Sequence, residues 1–352
     1  MKLVVKKKDL IILGVILLAI ISGLIFGLPK LLNNNGTEVK ENNKNNKVEN
    51  NKEQEEIIPE VQIVDLNSKT RPYAVMVNNL STARPYHSGL QDAYLVYEII
   101  VEGGITRYLA LFKDQETTMI GSVRSSRHYY LDYALENDAI YVHHGQSPQA
   151  QSDFSKLGID RIEVSESKTG WREKLPVASE HTLFTSIEKL GKGIGSKRTE
   201  LNKDLLLNYS ATPIDTSKLK GVQTANKVDL KYSSGTTTNY VYDSENNVYK
   251  QYVNNKEHKD YKTGNHYTVK NIIAYEVENY SIDDYGRQNL KNIGSGKGYY
   301  ITNGVAIPIT WEKNSRSAQT IYKYQDGTEI TVNDGNTWIH IVPKNGNISI
   351  TY

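Results

Sequence analysis

The stretch "AYLVYEIIVEGGITRYLALF", Ala93 to Phe112, decides the fold of the first half of the chain. Apolar and β-branched residues fill both sides of the pair Gly103-Gly104. A Gly-Gly pair between two such runs is a β-hairpin signal, because glycine tolerates the positive φ angles of a tight turn. The stretch therefore predicts two antiparallel strands joined by a two-residue turn.

A two-residue turn would also determine which side chains share a face of the hairpin. It places Ile100 opposite Arg107 and Glu98 opposite Leu109. Side chains alternate along a strand, so Glu98, Ile100 and Glu102 share one face, and Arg107 lies diagonal to both glutamates on that face. This register predicts two carboxylates and one guanidinium within reach of each other.

The stretch "IGSVRSSRHYY", Ile120 to Tyr130, follows the second strand and adds Arg124 and Arg127. It is typical of a strand-to-helix junction, with Ser125 or Ser126 as the helix N-cap. Arginines can hold a carboxylate or phosphate bidentately, and a helix N-terminus supplies further donors. The two stretches together therefore contain the groups of a polar site.

Two interpretations of these charges stay open. In the first, the arginines bind an anionic ligand, and Glu98 or Glu102 acts as a general acid or base. In the second, the charges form an ion-pair network that fixes the hairpin against the helix, because partly buried arginines are usually paired with protein carboxylates. The interpretations differ in whether Arg124 and Arg127 face a cleft or the glutamates.

Two histidines end the predicted strand "DAIYVHHG" just before a helix start, where open α/β sheets bind ligands. Because adjacent side chains alternate, at most one of His143 and His144 points into a given cleft. His143 is the candidate binding residue of the pair, although we favour a structural role for it. His87, His128 and His181 are further imidazoles, but no HExxH or other tight ligand spacing occurs. We therefore predict no metal site and no cofactor.

Other patterns in the first half predict a mixture of strands and helices. "RPYAVMVNN", Arg71 to Asn79, is an apolar strand that ends in a turn. Capping patterns predict three helix starts: Ser88 with Gln91, Ser147 with Pro148 and Gly158, and Thr185 with Glu188 and Gly191.

The second half is predicted to be almost entirely β. From Val228 onward, short alternating strands recur with hairpin turn signals at Asn303-Gly304, Asp326-Gly327 and Asp334-Gly335. The predicted fold class is therefore α+β. It comprises a mixed α/β N-terminal domain at 59–204, a connector at 205–227 and a mostly antiparallel β C-terminal domain at 228–352.

A membrane anchor is predicted to precede these domains. Residues 1–9 carry four lysines, and "LIILGVILLAIISGLIFGLP", residues 10–29, contains no charge. About 20 apolar residues span a bilayer as a helix, and the lysines mark the cytoplasmic side. We therefore expect a single-pass signal anchor at the cell membrane, with the bulk of the chain outside the cytoplasm. Residues 30–58, rich in Asn, Lys and Glu, are expected to be a disordered tether.

The bulk composition excludes several classes of protein. The net charge is +2, which gives no electrostatic footprint for nucleic acid. The chain has no cysteine, so disulfides, thiolate catalysis and cysteine zinc sites are excluded. It has 25 Tyr against 4 Phe and 3 Trp, and tyrosine suits half-buried strand faces with its apolar ring and polar hydroxyl.

The motifs together resemble one known family. The first half, with "RPYAVMVNN", "ARPYHSGLQDAYLVYEIIVEGGITRYLALF", "IGSVRSSRHYYLDYA" and "HHGQSPQA", is similar to the N-terminal domain of the YerB-like lipoproteins of Gram-positive bacteria (DUF3048). The second half, with "YKQYVNNKEHKDYKTG", "VKNIIAYEV", "GSGKGYYITNG" and "DGNTWIHIVP", is similar to that family's C-terminal domain. The resemblance covers Pro59 to Pro343.

The resemblance implies a two-domain α+β fold outside the cytoplasm and no established biochemical function. The family's polar signature is matched by Arg84, Glu98, Glu102, Arg107, Arg124, Ser125, Arg127, Gly145 and Pro148.

Two features depart from the family pattern. Many members carry a lipid-modified cysteine after the signal peptide, and this chain has no cysteine, so we expect the apolar helix to provide the anchor. In "EHTLFTS", Glu180 and Thr182 flank His181 where the family usually has Pro and Asn.

Three hypotheses about function follow. We favour a binding or scaffold module of the Gram-positive cell envelope, which would use Arg84, Arg107, Arg124, Ser125, Arg127 and His143 to bind an anionic wall component, a peptide or a partner protein. The alternative is a cell-wall hydrolase or transferase with Glu98 and Glu102 as acid and base. In the third, both charge clusters are structural. None of the three involves nucleic acid.

Overall fold

The computed structural model describes residues 59–352. The predicted cytoplasmic tail, membrane anchor and tether lie outside these described residues. Among residues 59–352, no helix has the length and apolar character that would let it cross a membrane.

The described chain is rich in strands and contains few helices. The helices are α1 (Tyr130–Glu136), α2 (Pro148–Lys156) and α3 (Ile187–Gly193). Single 3-10 turns occupy Arg84–Tyr86, Leu90–Asp92, Glu102–Gly104, Ser179–His181 and Thr216–Lys218. The strands are β1 (Tyr73–Asn78), β2 (Leu95–Ile100), β3 (Thr106–Phe112), β4 (Ile120–Gly121), β5 (Ile140–His143), β6 (Arg161–Glu163), β7 (Trp171–Arg172), β8 (Leu183–Thr185), β9 (Asn208–Ser210), β10 (Gln223–Thr224), β11 (Lys227–Lys231), β12 (Thr237–Asp243), β13 (Val248–Val253), β14 (Lys256–Glu257), β15 (Thr268–Val269), β16 (Asn271–Val277), β17 (Asn279–Ser281), β18 (Gln288–Leu290), β19 (Gly294–Thr302), β20 (Val305–Lys313), β21 (Ile321–Tyr324), β22 (Thr331–Asn333), β23 (Thr337–Pro343) and β24 (Asn347–Thr351).

An eleven-stranded mixed sheet runs through both halves of the sequence. Its order is β10-β20-β19-β16-β23-β2-β3-β1-β5-β6, with β21 paired to β20. The halves meet where β23 lies parallel to β2, from the pair Leu95 and Thr337 to the pair Ile99 and Ile341. Most pairings in the second half are antiparallel, as predicted.

Each face of this sheet covers a separate apolar core. On one face lie α1 and α2, and on the other lies a second sheet of order β14-β13-β12-β11-β24, with β15 paired to β13. Tyrosines fill much of both cores, and several of their hydroxyls reach backbone acceptors. For example, the Tyr129 hydroxyl donates to Ile100 O at 2.7 Å, and the Tyr130 hydroxyl donates to Ile99 O at 2.7 Å. This burial explains the high tyrosine content.

Buried charges add to the contact between the halves. The ammonium group of Lys313, on β20, lies 2.7 Å from Glu136 at the end of α1, and both side chains are buried. The guanidinium of Arg316 lies 2.5 Å from Asp132 on α1. Removing one partner of such a pair leaves an uncompensated buried charge, so these contacts link the halves in one folded unit.

The predicted register of the β2–β3 hairpin is wrong by one residue. Glu98 lies opposite Tyr108, and Arg107 lies opposite Ile99. The connection is longer than two residues, because the backbone amide of Val101 donates to Ile105 O at 2.8 Å around a 3-10 turn. A slip of one residue moves side chains to the other face of the sheet. Glu98 and Arg107 therefore lie on opposite faces.

Three of the predicted helix starts also need correction. Ser88 leads only into the 3-10 turn Leu90–Asp92. Neither Ser125 nor Ser126 caps α1, which begins at Tyr130, because residues 124–126 pair with neighbouring strands instead. α3 is capped by Ser186 and not by Thr185, and Gly191 lies inside it.

Other local predictions are confirmed. The Ser147 hydroxyl accepts a hydrogen bond from the Ala150 amide at 3.2 Å, and Pro148 occupies the first position of α2. Asn303-Gly304 forms the turn between β19 and β20, with both residues at positive φ.

The predicted hairpin turn at Asp334-Gly335 is wrong, since β22 pairs with β9 and β23 pairs with β16 and β2.

Candidate functional site

The candidate site lies at the carboxyl ends of the parallel strands β1 and β5. Residues 121–127 cross these ends in extended conformation: the amide of Arg124 donates to Met76 O at 2.9 Å, and His144 donates to Arg124 O at 3.1 Å. The amide of Ser126 donates to Gly145 O at 2.9 Å. Because backbone bonds fix this segment to both strands, its side chains are held in place. Its arginines lie where open α/β sheets commonly bind ligands.

Arg107 forms the buried floor of the site. Its side chain projects from β3, and the residue is 5% exposed. One guanidinium nitrogen donates to Ser125 O, whereas its Nε has no hydrogen-bond partner. Within residues 59–352, no carboxylate lies within 4 Å of its guanidinium. Burial, followed by the charge of nearby Arg127, lowers the pKa of Arg107 to about 10.

Arg127 is held by a carboxylate. Its Nε lies 2.5 Å from Glu102 Oε1, and a second guanidinium nitrogen donates to Glu102 Oε2 at 2.9 Å. Its third nitrogen donates to Ser126 O at 2.7 Å. Burial would raise the pKa of Glu102, but the hydrogen bonds and charge of Arg127 outweigh it and the pKa is lowered. Arg127 and Glu102 therefore form the bidentate pair that the ion-pair interpretation predicted, with Glu102 as the partner.

Arg124 is only loosely held. Its guanidinium donates to Glu180 O at 3.2 Å, and the nearest carboxylate oxygen, Glu180 Oε1, is 3.6 Å away. The Glu180 side chain is 58% exposed and also approaches His181 at 3.3 Å. The buried Nε of Arg124 has no partner. Water weakens an ion pair with so exposed a carboxylate, so most of the charge of Arg124 is available to a ligand.

Within residues 59–352, the three guanidiniums have two carboxylates within 4 Å, those of the half-buried Glu102 and the exposed Glu180. Buried cations are normally paired, so this cluster carries an uncompensated positive charge.

Two segments, residues 124–126 and 144–147, pair beside the arginines. Ser125 and Gly145 are half-buried, and a Cβ at Gly145 would lie 3.1 Å from the Ser125 hydroxyl oxygen. Gly145 also has φ +73°, a conformation that favours glycine. The adjacent loop and the first turn of α2 carry two buried amide oxygens without partners, those of Gln146 and Gln149.

Glu98 does not belong to this site. It is fully buried on the opposite face of the sheet, where its carboxylate accepts hydrogen bonds from Thr106 at 2.7 Å and Thr238 at 2.8 Å. The amide of Asn79 approaches at 3.3 Å, and His340 Nδ1 lies 3.2 Å away. The structure thus separates the two proposed catalytic glutamates, and neither presents a free carboxylate to solvent.

Arg84 also makes internal contacts. Its Nε donates to the side-chain oxygen of Asn79 at 2.9 Å, and a second nitrogen donates to the backbone oxygen of Asn79 at 2.9 Å. It therefore fixes the turn after β1.

His143 matches the structural alternative. Its ring packs against Tyr141 and Phe154, with centroids 5.5 and 5.0 Å away. Nδ1 lies 2.9 Å from Gly145 O, and Nε2 lies 3.3 Å from Arg161. Burial lowers the pKa of His143 to about 4, so the ring is neutral near pH 7.

The structure also shows a buried polar network that the sequence reasoning missed. His340, on β23, lies 2.9 Å from the hydroxyls of Tyr232 and Tyr240, and Gln251 donates to Tyr240 at 3.0 Å. These residues come from distant parts of the second half and meet at Glu98. The sequence feature that could have indicated this network is His340, which stands among apolar residues in "TWIHIVP". Within the described residues, no group of three or more His, Cys, Asp or Glu side chains is placed to hold a metal.

Comparisons with known proteins agree with the motif resemblance. The model of the N-terminal domain of a protein of unknown function (DUF3048) matches residues 61–200, and the model of the DUF3048 C-terminal domain matches residues 228–339. The "Putative lipoprotein YerB" of Bacillus subtilis (strain 168) is 32% identical over 284 residues, 78% of this chain and 82% of that protein. The crystal structure of YerB from Bacillus subtilis superposes with a TM-score of 0.68 at 29% identity, over 80% of this chain and 94% of that one.

Proposed function

The chain belongs to the DUF3048 family, and from that premise we propose that it is an anion-binding module of the cell envelope. It would bind a carboxylate or phosphate group of a wall component, a peptide or a partner protein through Arg107 and Arg124, with Arg127 braced by Glu102. One observation carries this proposal: the guanidinium of Arg107 is buried beside two like charges with no carboxylate of its own.

The proposed location rests on the relative and on the N-terminal sequence. The similar Bacillus protein carries the name "Putative lipoprotein YerB", which supports a location at a membrane surface outside the cytoplasm. This chain has no cysteine to carry a lipid, but residues 10–29 are apolar and uncharged. A single membrane-spanning helix would therefore hold the folded part outside the cytoplasm.

The energetics of Arg107 favour an external anion. An unpaired buried charge costs several kcal/mol, and the neighbouring guanidiniums add repulsion. A carboxylate or phosphate would supply the missing acceptors for the free Nε groups of Arg107 and Arg124. Hydrogen bonds to charged groups contribute about 1.5–3 kcal/mol each. A site whose charges are unbalanced without ligand is thus arranged to bind an anion.

The geometry gives little support to a hydrolase or transferase. A catalytic carboxyl group must reach the substrate, and Glu98 is sealed between the two sheets. A general acid needs a raised pKa, whereas Arg127 lowers the pKa of Glu102. Both glutamates instead serve as internal partners.

Calorimetric titration of the full chain tests the proposal. Soluble anionic wall fragments and inorganic phosphate would be titrated into the wild type, Arg124→Ala and Arg287→Ala. Arg287 is the matched control, because it is a half-buried arginine that pairs with Asp283 on the β17–β18 hairpin. We expect Arg124→Ala to weaken binding at least tenfold, with little change in thermal midpoint, and Arg287→Ala to bind as the wild type does.

Two outcomes would overturn the proposal. The first is that no anion binds the wild type. The second is that Arg124→Ala unfolds the protein or binds as tightly as Arg287→Ala, since the arginines would then act as structural ion pairs only.

A further inference from the structure

A second cleft lies between the two halves of the chain, and no residue of the arginine site lines it. Its volume is about 310 Å³. The first half contributes residues 88–92 and 117–119, and the second half contributes the loop 260–267. Ligand pockets in proteins start at about 300 Å³, so this cleft suits a ligand of one or two rings.

Internal hydrogen bonds hold the walls of the cleft in place. The carboxylate of Asp260 accepts from the backbone amide of Gly89 at 2.7 Å and from the hydroxyl of Tyr267 at 2.9 Å. The side-chain amide of Gln91 pairs with the backbone of Thr268 through two bonds of 3.0 Å. The two halves are therefore fixed relative to each other here, and a ligand would enter a preformed site.

In the floor of the cleft, the backbone at Gly89 lies in close contact with the segment 117–119. Its φ is +81°, and a Cβ would lie 2.4 Å from Met119 O. A side chain at this position would push the segment 117–119 away. The floor thus consists of backbone at Gly89 together with the apolar surfaces of Met119 and Tyr267.

The rim offers both donors and acceptors that are not fully used. One oxygen of Asp92 accepts from Thr117 at 2.8 Å, and the other has no partner within residues 59–352. The ammonium group of Lys262 donates to Thr118 at 2.6 Å, and no described carboxylate lies within 4 Å of it. Asn265 adds an exposed side-chain amide. Asp92 and Lys262 carry opposite charges at the rim, and the third charge, that of Asp260 in the wall, is engaged by the Gly89 amide and the Tyr267 hydroxyl, so a neutral ligand with several hydroxyl groups suits the rim.

An exposed aromatic residue is adjacent in sequence to two lining residues, although it does not itself line the cleft. Tyr261, between Asp260 and Lys262, is 45% exposed, and its ring meets that of Tyr86 edge-on at 5.4 Å. An exposed ring beside mixed donors and acceptors matches a sugar, whose hydroxyl groups give and accept hydrogen bonds while its C–H face packs on apolar surface.

We propose that this cleft binds a neutral saccharide unit. The Asp92 carboxylate would accept from sugar hydroxyls, Lys262 and Asn265 would donate to them, and Tyr261 would cover the apolar face of a ring. The inference is independent of the arginine site. A zwitterionic amino acid is the competing small ligand, because Asp92 and Lys262 could take its ammonium and carboxylate groups.

Ligand-observed NMR on the full chain tests the assignment. Chitotetraose and cellotetraose would be the saccharide probes, and alanine and glutamate the amino-acid probes. We expect at least one saccharide to bind, and both Asp92→Ala and Tyr261→Ala to weaken it at least tenfold. Tyr285→Ala removes a 70% exposed tyrosine in the turn between β17 and β18, which contributes no residue to the cleft, so it should leave the affinity unchanged.

Three results would overturn the assignment. The first is that neither saccharide binds. The second is that the cleft variants and Tyr285→Ala bind the saccharide with the same affinity. The third is that the amino acids bind and displace the saccharide. Arg124→Ala should not affect saccharide binding, so failure of the arginine site and failure of this cleft are distinguishable. Asp92 and Tyr261 are exposed, so neither variant is expected to disturb folding.

Discussion

Arg107 shows how strongly the chemistry of one residue depends on its place in a strand. With a two-residue turn it would face Glu98 and form an ordinary ion pair. In the structure it lies opposite Ile99, on the other face, beside Arg124 and Arg127. Glu98 and the arginines, which are close in sequence, therefore lie on opposite faces of the central sheet.

The partner of Arg127 can be measured directly. A double-mutant cycle on Glu102 and Arg127 should give a coupling energy of about 1–3 kcal/mol in urea unfolding, because the pair is bidentate and mostly buried. The same cycle on Glu98 and Arg127 is the control and should give a value near zero. Equal coupling in both cycles would contradict the observed register.

Buried histidines should make the stability depend on pH. Burial, followed by the charge of Arg84, lowers the pKa of His87 to about 3, and burial lowers that of His143 to about 4. Burial, followed by the charge of His87, also lowers the pKa of His258. Near pH 5 the unfolded chain therefore binds about three more protons than the folded one at these positions.

The sign of this effect follows from the depressed folded pKa values. Stability is highest above pH 6.5 and falls as the pH falls toward 4, by about 4 kcal/mol per pH unit near pH 5. Urea unfolding across this range measures the slope, and His87→Gln should reduce it by about a third. A slope that is flat between pH 7 and 5 would show that these rings are not buried in neutral form.

At the scale of single elements, sequence patterns predicted correctly the helix start that depends on hydrogen bonds between neighbouring residues. Ser147 and Pro148 start α2 because the cap and the first helical position are adjacent in sequence. The start of α1 was missed because Arg124 and Ser126 bond to β1 and to Gly145, contacts that no local pattern contains. Long-range strand pairing prevailed over the capping preference of serine.

The two serine positions give a matched test of that explanation. Ser147→Ala removes a cap and should lower the free energy of unfolding by about 0.5–2 kcal/mol. Ser125→Ala should change it by less than about 0.5 kcal/mol, since Ser125 caps no helix. Urea denaturation compares the two. A larger loss at Ser125 would mean that its hydroxyl has a structural role.

At the scale of the molecule, the composition of the sequence changes between two halves, but one central sheet contains strands from both. Composition predicted the strand-rich second half and the mixed first half correctly. It could not predict that β23 pairs with β2, because that register joins segments at opposite ends of the folded chain. Glu98 could not be placed for the same reason: its partners Thr238 and His340 come from the second half.

The shared sheet predicts that the first half does not fold alone. Residues 59–204 expressed without the rest would expose the edge of β2 and the sheet face that β11–β13 cover, and would lose Lys313 and His340, the partners of Glu136 and Glu98. We expect no cooperative unfolding transition by circular dichroism. In the intact chain, Lys313→Met should cost about 3–5 kcal/mol, because it leaves Glu136 uncompensated, whereas Lys192→Met on the surface should cost little. A cooperatively folded 59–204 fragment would contradict this view.

The thermal midpoint of the full chain as a function of inorganic phosphate, at constant ionic strength, tests the central claim most directly. A ligand that binds the folded state raises the midpoint by mass action, so the wild type should gain stability as phosphate rises. Arg107→Met removes the unpaired charge, so it should match or exceed the wild type without phosphate and show no response to it. If phosphate leaves the wild type unchanged, or if Arg107→Met is strongly destabilised and still responds as the wild type does, then Arg107 is a structural residue and the site does not bind anions.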